Sequence, residues 1–303
     1  MPQLSTHQEL VAEPVASPAG TRPIEPIAAH YDRPVRFYLL AAAVPWAFWF
    51  AAAYLSNLVD QTPAIQFGTA TLGLAGLVSP LAVVAYLVRN RPELRADIRR
   101  RLLWPKGVRW GFVIGAFLLL PASLLGAQAV SLLFGYSADQ FLFRDGFTFS
   151  AGLLPVWVLL LGAALLEELA WHSYGTDALV SRMRVFTASM VFTLIWALWH
   201  LPLAFIKGYY HNEVVESGWL HTLNFPLSMV AFVVLMNWLY FRSGRSIVIT
   251  VIFHAMANVV NEIFRTHPDT KIIQTVLLLL VAAVVVVRDR DLFFGSPSKL
   301  PAA

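Results

Sequence analysis

The chain has no cysteine among its 303 residues. That absence excludes a disulfide framework, a thiol nucleophile and a thiolate metal site. Charge is also scarce: Asp, Glu, Lys and Arg make up only 13% of the chain, against about 25% in soluble domains. With 58% hydrophobic residues and a mean hydropathy of +0.63, this composition excludes an ordinary soluble domain and indicates a polytopic membrane protein. Residues 1–34 lack any apolar period; they are rich in Pro, Ala, Glu and Thr, and Glu9 and Glu13 interrupt them. No h-region or small-residue cleavage site follows, so a signal peptide is not expected, and the segment reads as a disordered tail. No internal repeat is visible, which argues against an inverted-repeat transporter.

What is present is a series of apolar stretches long enough to cross a core of about 30 Å. They read as an all-α protein of about eight transmembrane helices: Phe37–Leu58, Ile65–Val88, Trp110–Phe134, Gly152–Ala178, Phe186–Ile206, Leu223–Phe241, Ile247–Phe264 and Ile272–Val287, the last near the lower limit for a span. The first three form an N-terminal unit over 35–149, and the other five a catalytic-type core over 150–290 around a central cavity, with a cytoplasmic tail at 291–303. If the N-terminus is cytoplasmic, the outer loops retain only Arg144, Lys207, Arg265 and Lys271 of the 22 Lys and Arg. Such an asymmetry follows the positive-inside rule and places both termini in the cytoplasm. The loop Arg89–Arg109 predicts a basic interfacial helix over 93–103. Leu94, Ile98 and Leu102 recur every four residues among Arg95, Arg99 and Arg101, a pattern suited to anionic lipid. A plain basic loop is the alternative.

Within the fourth apolar run, Glu167 and Glu168 stand side by side. A carboxylate at membrane depth costs several kcal/mol, about 3 by insertion scales, unless something solvates or pairs it, so the default reading is functional. Adjacent helical positions differ by about 100°. Glu168 therefore shares a face with His172, four residues on, while Glu167 shares one with Trp171. This predicts Glu167 turned to a cavity and Glu168 tied to His172 as support. The fifth run carries Trp196 and, one turn on, His200; the seventh carries His254 and Asn258, also one turn apart.

Glu167 and His200 could position and deprotonate a water. His254 and Asn258 are donors suited to the oxyanion of a tetrahedral intermediate. The combination describes amide hydrolysis without a covalent enzyme intermediate. Blander readings stand beside it: a lone membrane histidine usually bridges helices, Asn258 can be interhelical glue, and the tryptophans can be packing or interface anchors. His211, His221 and His267 lie in or beside outer loops and are not assigned to catalysis. One Glu and two His also form a legitimate zinc set. No cofactor is expected, but a divalent metal such as zinc at Glu167, His200 and His254 stays open.

These motifs resemble the CAAX protease and bacteriocin-processing family of intramembrane peptidases, which includes the type II CAAX prenyl proteases. The family's E-E-x-x-x-R appears as Glu167-Glu168-Leu169-Ala170-Trp171-His172. Its aromatic-x-x-x-His appears as Trp196 to His200 followed by Pro202, and its H-x-x-x-N as His254 to Asn258. The resemblance covers about residues 150–262. It implies an eight-helix fold with a cytoplasm-accessible intramembrane cavity, Glu167 and His200 as water activators, and His254 and Asn258 as the oxyanion site. Glu168, His172 and Trp196 would support them. The chain departs at His172, where Arg is usual, and at Ser173, where Gly is usual. An Arg pairs with a carboxylate permanently, whereas a histidine does so only when protonated.

The expected function is an intramembrane endopeptidase of a prokaryotic cell membrane. It would cut near the C-terminus or a membrane-adjacent segment of a protein or peptide, with the bilayer as its other partner and no nucleic acid involved. A non-catalytic scaffold or immunity protein is the first alternative, and a proton-coupled transporter using the paired glutamates the second.

Overall fold

A computed structural model describes residues 30–103, 108–146 and 154–295. Most of the expected N-terminal tail, the start of the fourth span at Gly152 and the end of the C-terminal tail lie outside the described residues. Among those described, the protein is all-helical: α1 (Pro34–Ser56), α2 (Pro63–Val88), α3 (Pro92–Arg101), α4 (Trp110–Ser131), α5 (Val156–Ala170), α6 (Thr176–Val180), α7 (Val185–Trp199), α8 (Tyr210–Glu216), α9 (Trp219–Arg242), α10 (Ile247–Ile263), α11 (Pro268–Arg288) and α12 (Arg290–Phe294). A π-helical turn, Trp171–Gly175, joins α5 to α6 into one span, and a 3₁₀ segment, Leu201–Phe205, extends α7.

Seven of these helical stretches are long and apolar enough to cross a membrane, and α10 is a shorter apolar helix. The protein is thus an integral, polytopic membrane protein. Side chains such as Leu118, Val158, Leu194 and Leu280 stay exposed on its flanks, where hydrocarbon is the natural neighbour. Proline at the first turn opens α1, α2, α3 and α11, where its missing N–H has no intrahelical partner to lose. That rule explains a difference from the sequence reading. The eighth span starts at Pro268, not Ile272, because His267 caps α11 by accepting from the Asp269 N–H. The short span is instead the seventh. It is 17 residues long, held between the Ser246 cap and Phe264, whose backbone bridges to Phe143.

The helices nest closely where glycine allows it. α1 packs along α2, and a Cβ at Gly76 would fall 2.2 Å from the Trp49 indole nitrogen. On the π-turn, a Cβ at Gly175 would lie 2.6 Å from Phe37. α10 packs on α4 and α5, and α9 on α7 and α11, which brings the fourth, fifth and seventh spans around one space.

The helix expected near 93–103 forms as α3. Its apolar stripe faces protein: Leu94 is fully buried, and Ile98 and Leu102 pack on the core. Asp97 and Arg101 point the same way into a buried ion network. Arg101 lies 3.0 Å from Asp97 and 2.8 Å from Asp177, and Arg245 lies 3.0 and 2.7 Å from the same two carboxylates. Arg101 also donates to the carbonyl oxygens of His172 and Ser173, both at 2.8 Å, so α3 braces the π-turn. Arg245 is the one described non-glycine residue with a left-handed backbone, φ 62°. That conformation is uncommon outside glycine, and here two carboxylates hold it. Tyr31, within the expected tail, is buried against Asp97.

Burial pushes the Asp97 carboxyl up, but Arg101 and Arg245 outweigh it and hold the group below its ordinary value of 3.8. A depressed carboxylate contributes stability that is full above that ordinary value and lost as the pH falls through the folded one. Asp177→Ala strips a partner from both arginines and should cost roughly 3–5 kcal/mol, the usual effect of leaving buried charge unpaired. Thermal unfolding in detergent near neutral pH reads this. A midpoint within error of wild type would mean that solvent reaches the network.

Candidate active site

Glu167 comes from the last turn of α5, His200 from the end of α7, and His254 and Asn258 from the middle of α10. All four line one cavity of about 730 Å³, together with Trp196. At the other end of this cavity the walls continue to Arg144, Glu213, Ser217, His221 and Lys271.

The two glutamates differ in surroundings as their 100° separation requires. Glu167 lines the cavity, and its Oε2 accepts from the Trp196 indole at 3.0 Å and the Trp171 indole at 3.5 Å. No protein donor reaches its Oε1 among the described residues. Glu168 is fully buried. One of its oxygens meets His172 Nδ1 in a short hydrogen bond, and the other meets His254 Nδ1 at 2.8 Å. The tie to His172 was expected from spacing; the tie to His254 was not, because it joins α5 to α10.

Hydrogen bonds define the tautomers. His200 Nδ1 lies 2.7 Å from the Trp196 carbonyl. A carbonyl only accepts, so Nδ1 carries the proton and Nε2 keeps its lone pair. His254 Nδ1 likewise donates to the Glu168 carboxylate, leaving Nε2 for other contacts. Asn258 spends one amide N–H on the Leu160 carbonyl at 2.9 Å, and its second N–H remains. Asn258 is therefore both an α10–α5 bridge and a cavity residue. Aromatic rings close the walls: Trp196 stacks on Phe192, with centroids 5.4 Å apart, and meets His254 edge-on at 5.5 Å.

Three parts of the site escaped the sequence reading. His211, set aside as an outer-loop residue, stacks on His200 with ring centroids 4.9 Å apart. Burial pushes its pKa down to about 4, so the ring beside His200 is neutral. Asn237 of α9 lies 3.0 Å from His172 Nε2. The Arg101 brace reaches the π-turn from 71 residues away. None shares a period with the motifs, and only the helix packing brings them in. As for metal, no three His, Asp or Glu side chains are gathered closely enough to hold an ion among the described residues.

The cavity's lining includes Arg144, Arg265 and Lys271 beside Glu213 and Glu262; the three basic residues are among the four cations that the charge asymmetry assigns to the outer face. α3, with its arginines, lies at the opposite end.

A polytopic helical protein with a carboxylate and imidazoles from separate spans around one intramembrane cavity has the makings of an intramembrane hydrolase. Comparisons with known proteins specify the class. Residues 149–260 match the family described as Type II CAAX prenyl endopeptidase Rce1-like. A protein of Methanococcus maripaludis, CAAX prenyl protease 2, is 35% identical over 270 residues, covering 88% of this chain and 98% of its own length. The chain belongs to the CAAX prenyl protease family. It is an intramembrane endopeptidase with a protein substrate, which sets the transporter and scaffold alternatives aside.

Trp196→Phe keeps the ring in its stack and deletes the N–H that addresses Glu167. A hydrogen bond to a charged group contributes about 1.5–3 kcal/mol, so kcat should fall about 10- to 100-fold. The cleavage rate in proteoliposomes measures it; an unchanged kcat would show that Glu167 is held without the indole.

Proposed function

We propose that Glu167 and His200 activate a water for attack on the scissile peptide carbonyl. The water gives its proton to this pair, with His200 Nε2 offering the lone pair that its Nδ1–H bond to Trp196 leaves free. The water oxygen bonds to the carbonyl carbon, and the negative charge moves to the carbonyl oxygen. The Asn258 amide and a doubly protonated His254 hold that oxyanion, with Glu168 accepting from His254 Nδ1. On collapse the C–N bond breaks, and the leaving amine takes the proton back from the Glu167–His200 pair. What carries this reading is that four groups from three separate spans line the same cavity. The substrate is a protein or peptide cut near its C-terminus or at a membrane-adjacent segment.

Glu167→Ala or His200→Ala should lower cleavage by roughly 10²–10⁴, the range for a lost general base. Asn258→Ala should lower it by roughly 10²–10³, as for an oxyanion donor. Mass spectrometry of membrane peptides from cells carrying each form reads both rate and cut site. Full turnover in Glu167→Ala would remove the mechanism, and a loss on chelation restored by zinc would add a metal to it.

The charge asymmetry supports an orientation with both termini in the cytoplasm, so the cavity rim faces outward and the substrate segment enters from that side. The cysteine-free chain makes this directly testable. Ser217→Cys, exposed at the rim, should react with a membrane-impermeant maleimide on intact cells. Asn90→Cys, exposed at the basic end, should react only after lysis. The opposite pattern would turn the cavity to the cytoplasm.

A further inference from the structure

Where the family pattern has a permanently charged arginine, this chain has His172. A neutral imidazole at His172 would leave two adjacent carboxylates, Glu167 and Glu168, at the centre of the helix bundle with only His254 beside them to supply positive charge. A chain of hydrogen bonds running away from the cavity bears on how that is avoided.

Ser189 in α7 donates its hydroxyl hydrogen to the Val185 carbonyl at 2.8 Å. Its oxygen therefore has only acceptor capacity left. The Asn237 side chain, 1% exposed, approaches that oxygen at 2.8 Å, so the amide turns its NH₂ to Ser189. The other end of the amide, Oδ1, then faces His172 Nε2 at 3.0 Å. An amide oxygen only accepts, so Nε2 must carry a hydrogen. The opposite ring nitrogen, Nδ1, makes the short contact with Glu168. A neutral imidazole has one N–H, and Asn237 has claimed it. The Nδ1–Glu168 contact thus requires a second proton, shared between ring and carboxyl.

We propose that Asn237 is a positioning residue of the active site: by fixing the proton on His172 Nε2, it makes the His172–Glu168 pair hold one further proton and carry no net charge. The pair then does what an arginine–glutamate pair would do. Glu168 is balanced locally, its other oxygen is free to hold His254, and Glu167 is left as the carboxylate that faces the cavity. Neither Asn237 nor Ser189 lines the cavity; they act through His172. The functional consequence rests on the proposed roles of Glu167 and His254, whereas the proton placement does not.

Two measurements on the full-length protein separate these. In ¹⁵N-histidine-labelled protein at neutral pH, with the His172 signals assigned by their loss in His172→Arg, Nε2 should read as protonated in wild type. In Asn237→Leu that proton should leave Nε2. An unprotonated Nε2 in wild type, or identical spectra in the two forms, overturns the proposal whatever the enzyme's mechanism. The second measurement is cleavage. Loss of a buried charge-assisted hydrogen bond should lower kcat at least about 10-fold in Asn237→Leu. The same substitution made in the His172→Arg protein should change kcat less than about 3-fold relative to His172→Arg alone, because a guanidinium needs no tautomer fixed. Asn237→Asp, which keeps the acceptor, should recover most of the lost rate in the wild-type background. Equal losses in both backgrounds would reduce Asn237 to packing and end its positioning role.

Discussion

A buried carboxylate has to be satisfied on every side, and the architecture of this protein is organised around one that is. Glu168 is fully buried and is shared between the imidazoles of His172 and His254. Removing a charge from water costs several kcal/mol per ion even after relaxation, so no helix bearing Glu168 could sit in the bundle without those partners. One of them lies on its own span, a turn away; the other comes from α10. The same pair of bonds that satisfies the carboxylate also orients His254. Satisfying the buried charge and assembling the cavity wall are a single event.

The π-turn Trp171–Gly175 shows how the span is adapted to that demand. A π-turn inside an α-helix marks functional sites more often than chance. It leaves carbonyl oxygens that the regular ladder no longer uses, and those of His172 and Ser173 accept from Arg101. The arginine arrives on α3, a short helix at the charged end of the bundle, and the Asp97–Asp177–Arg245 cluster holds it in turn. Stability at one end of the molecule is thereby coupled to side-chain orientation at the cavity. The tight approach of α1 at Gly175 locks the other flank of the same turn.

The two ends of the bundle are chemically unlike. One carries the ion network and α3. The other carries few cations, and most of those sit on the cavity rim with His211, His221 and Glu213. A membrane protein feels this difference through the positive-inside rule, and it therefore bears on which aqueous phase supplies both water and substrate to Glu167. Family membership sets the reaction type, intramembrane proteolysis, while the side of entry is a property of this chain's own loops.

Much of this was legible in the residues alone. Composition dictated a membrane protein, because no soluble core could bury so much apolar surface. Helical periodicity gave the separate faces of Glu167 and Glu168, the Glu168–His172 tie, and the shared face of His254 and Asn258. Those are local consequences of 3.6 residues per turn. Tertiary structure alone decided what crosses between helices. It brought His254 to Glu168, Asn237 to His172, His211 to His200 and Arg101 to the π-turn, and it turned the apolar stripe of α3 inward. Each of these contacts joins residues on different helices, most of them 65 or more positions apart in the chain, so only the docking of one helix surface on another could bring them together.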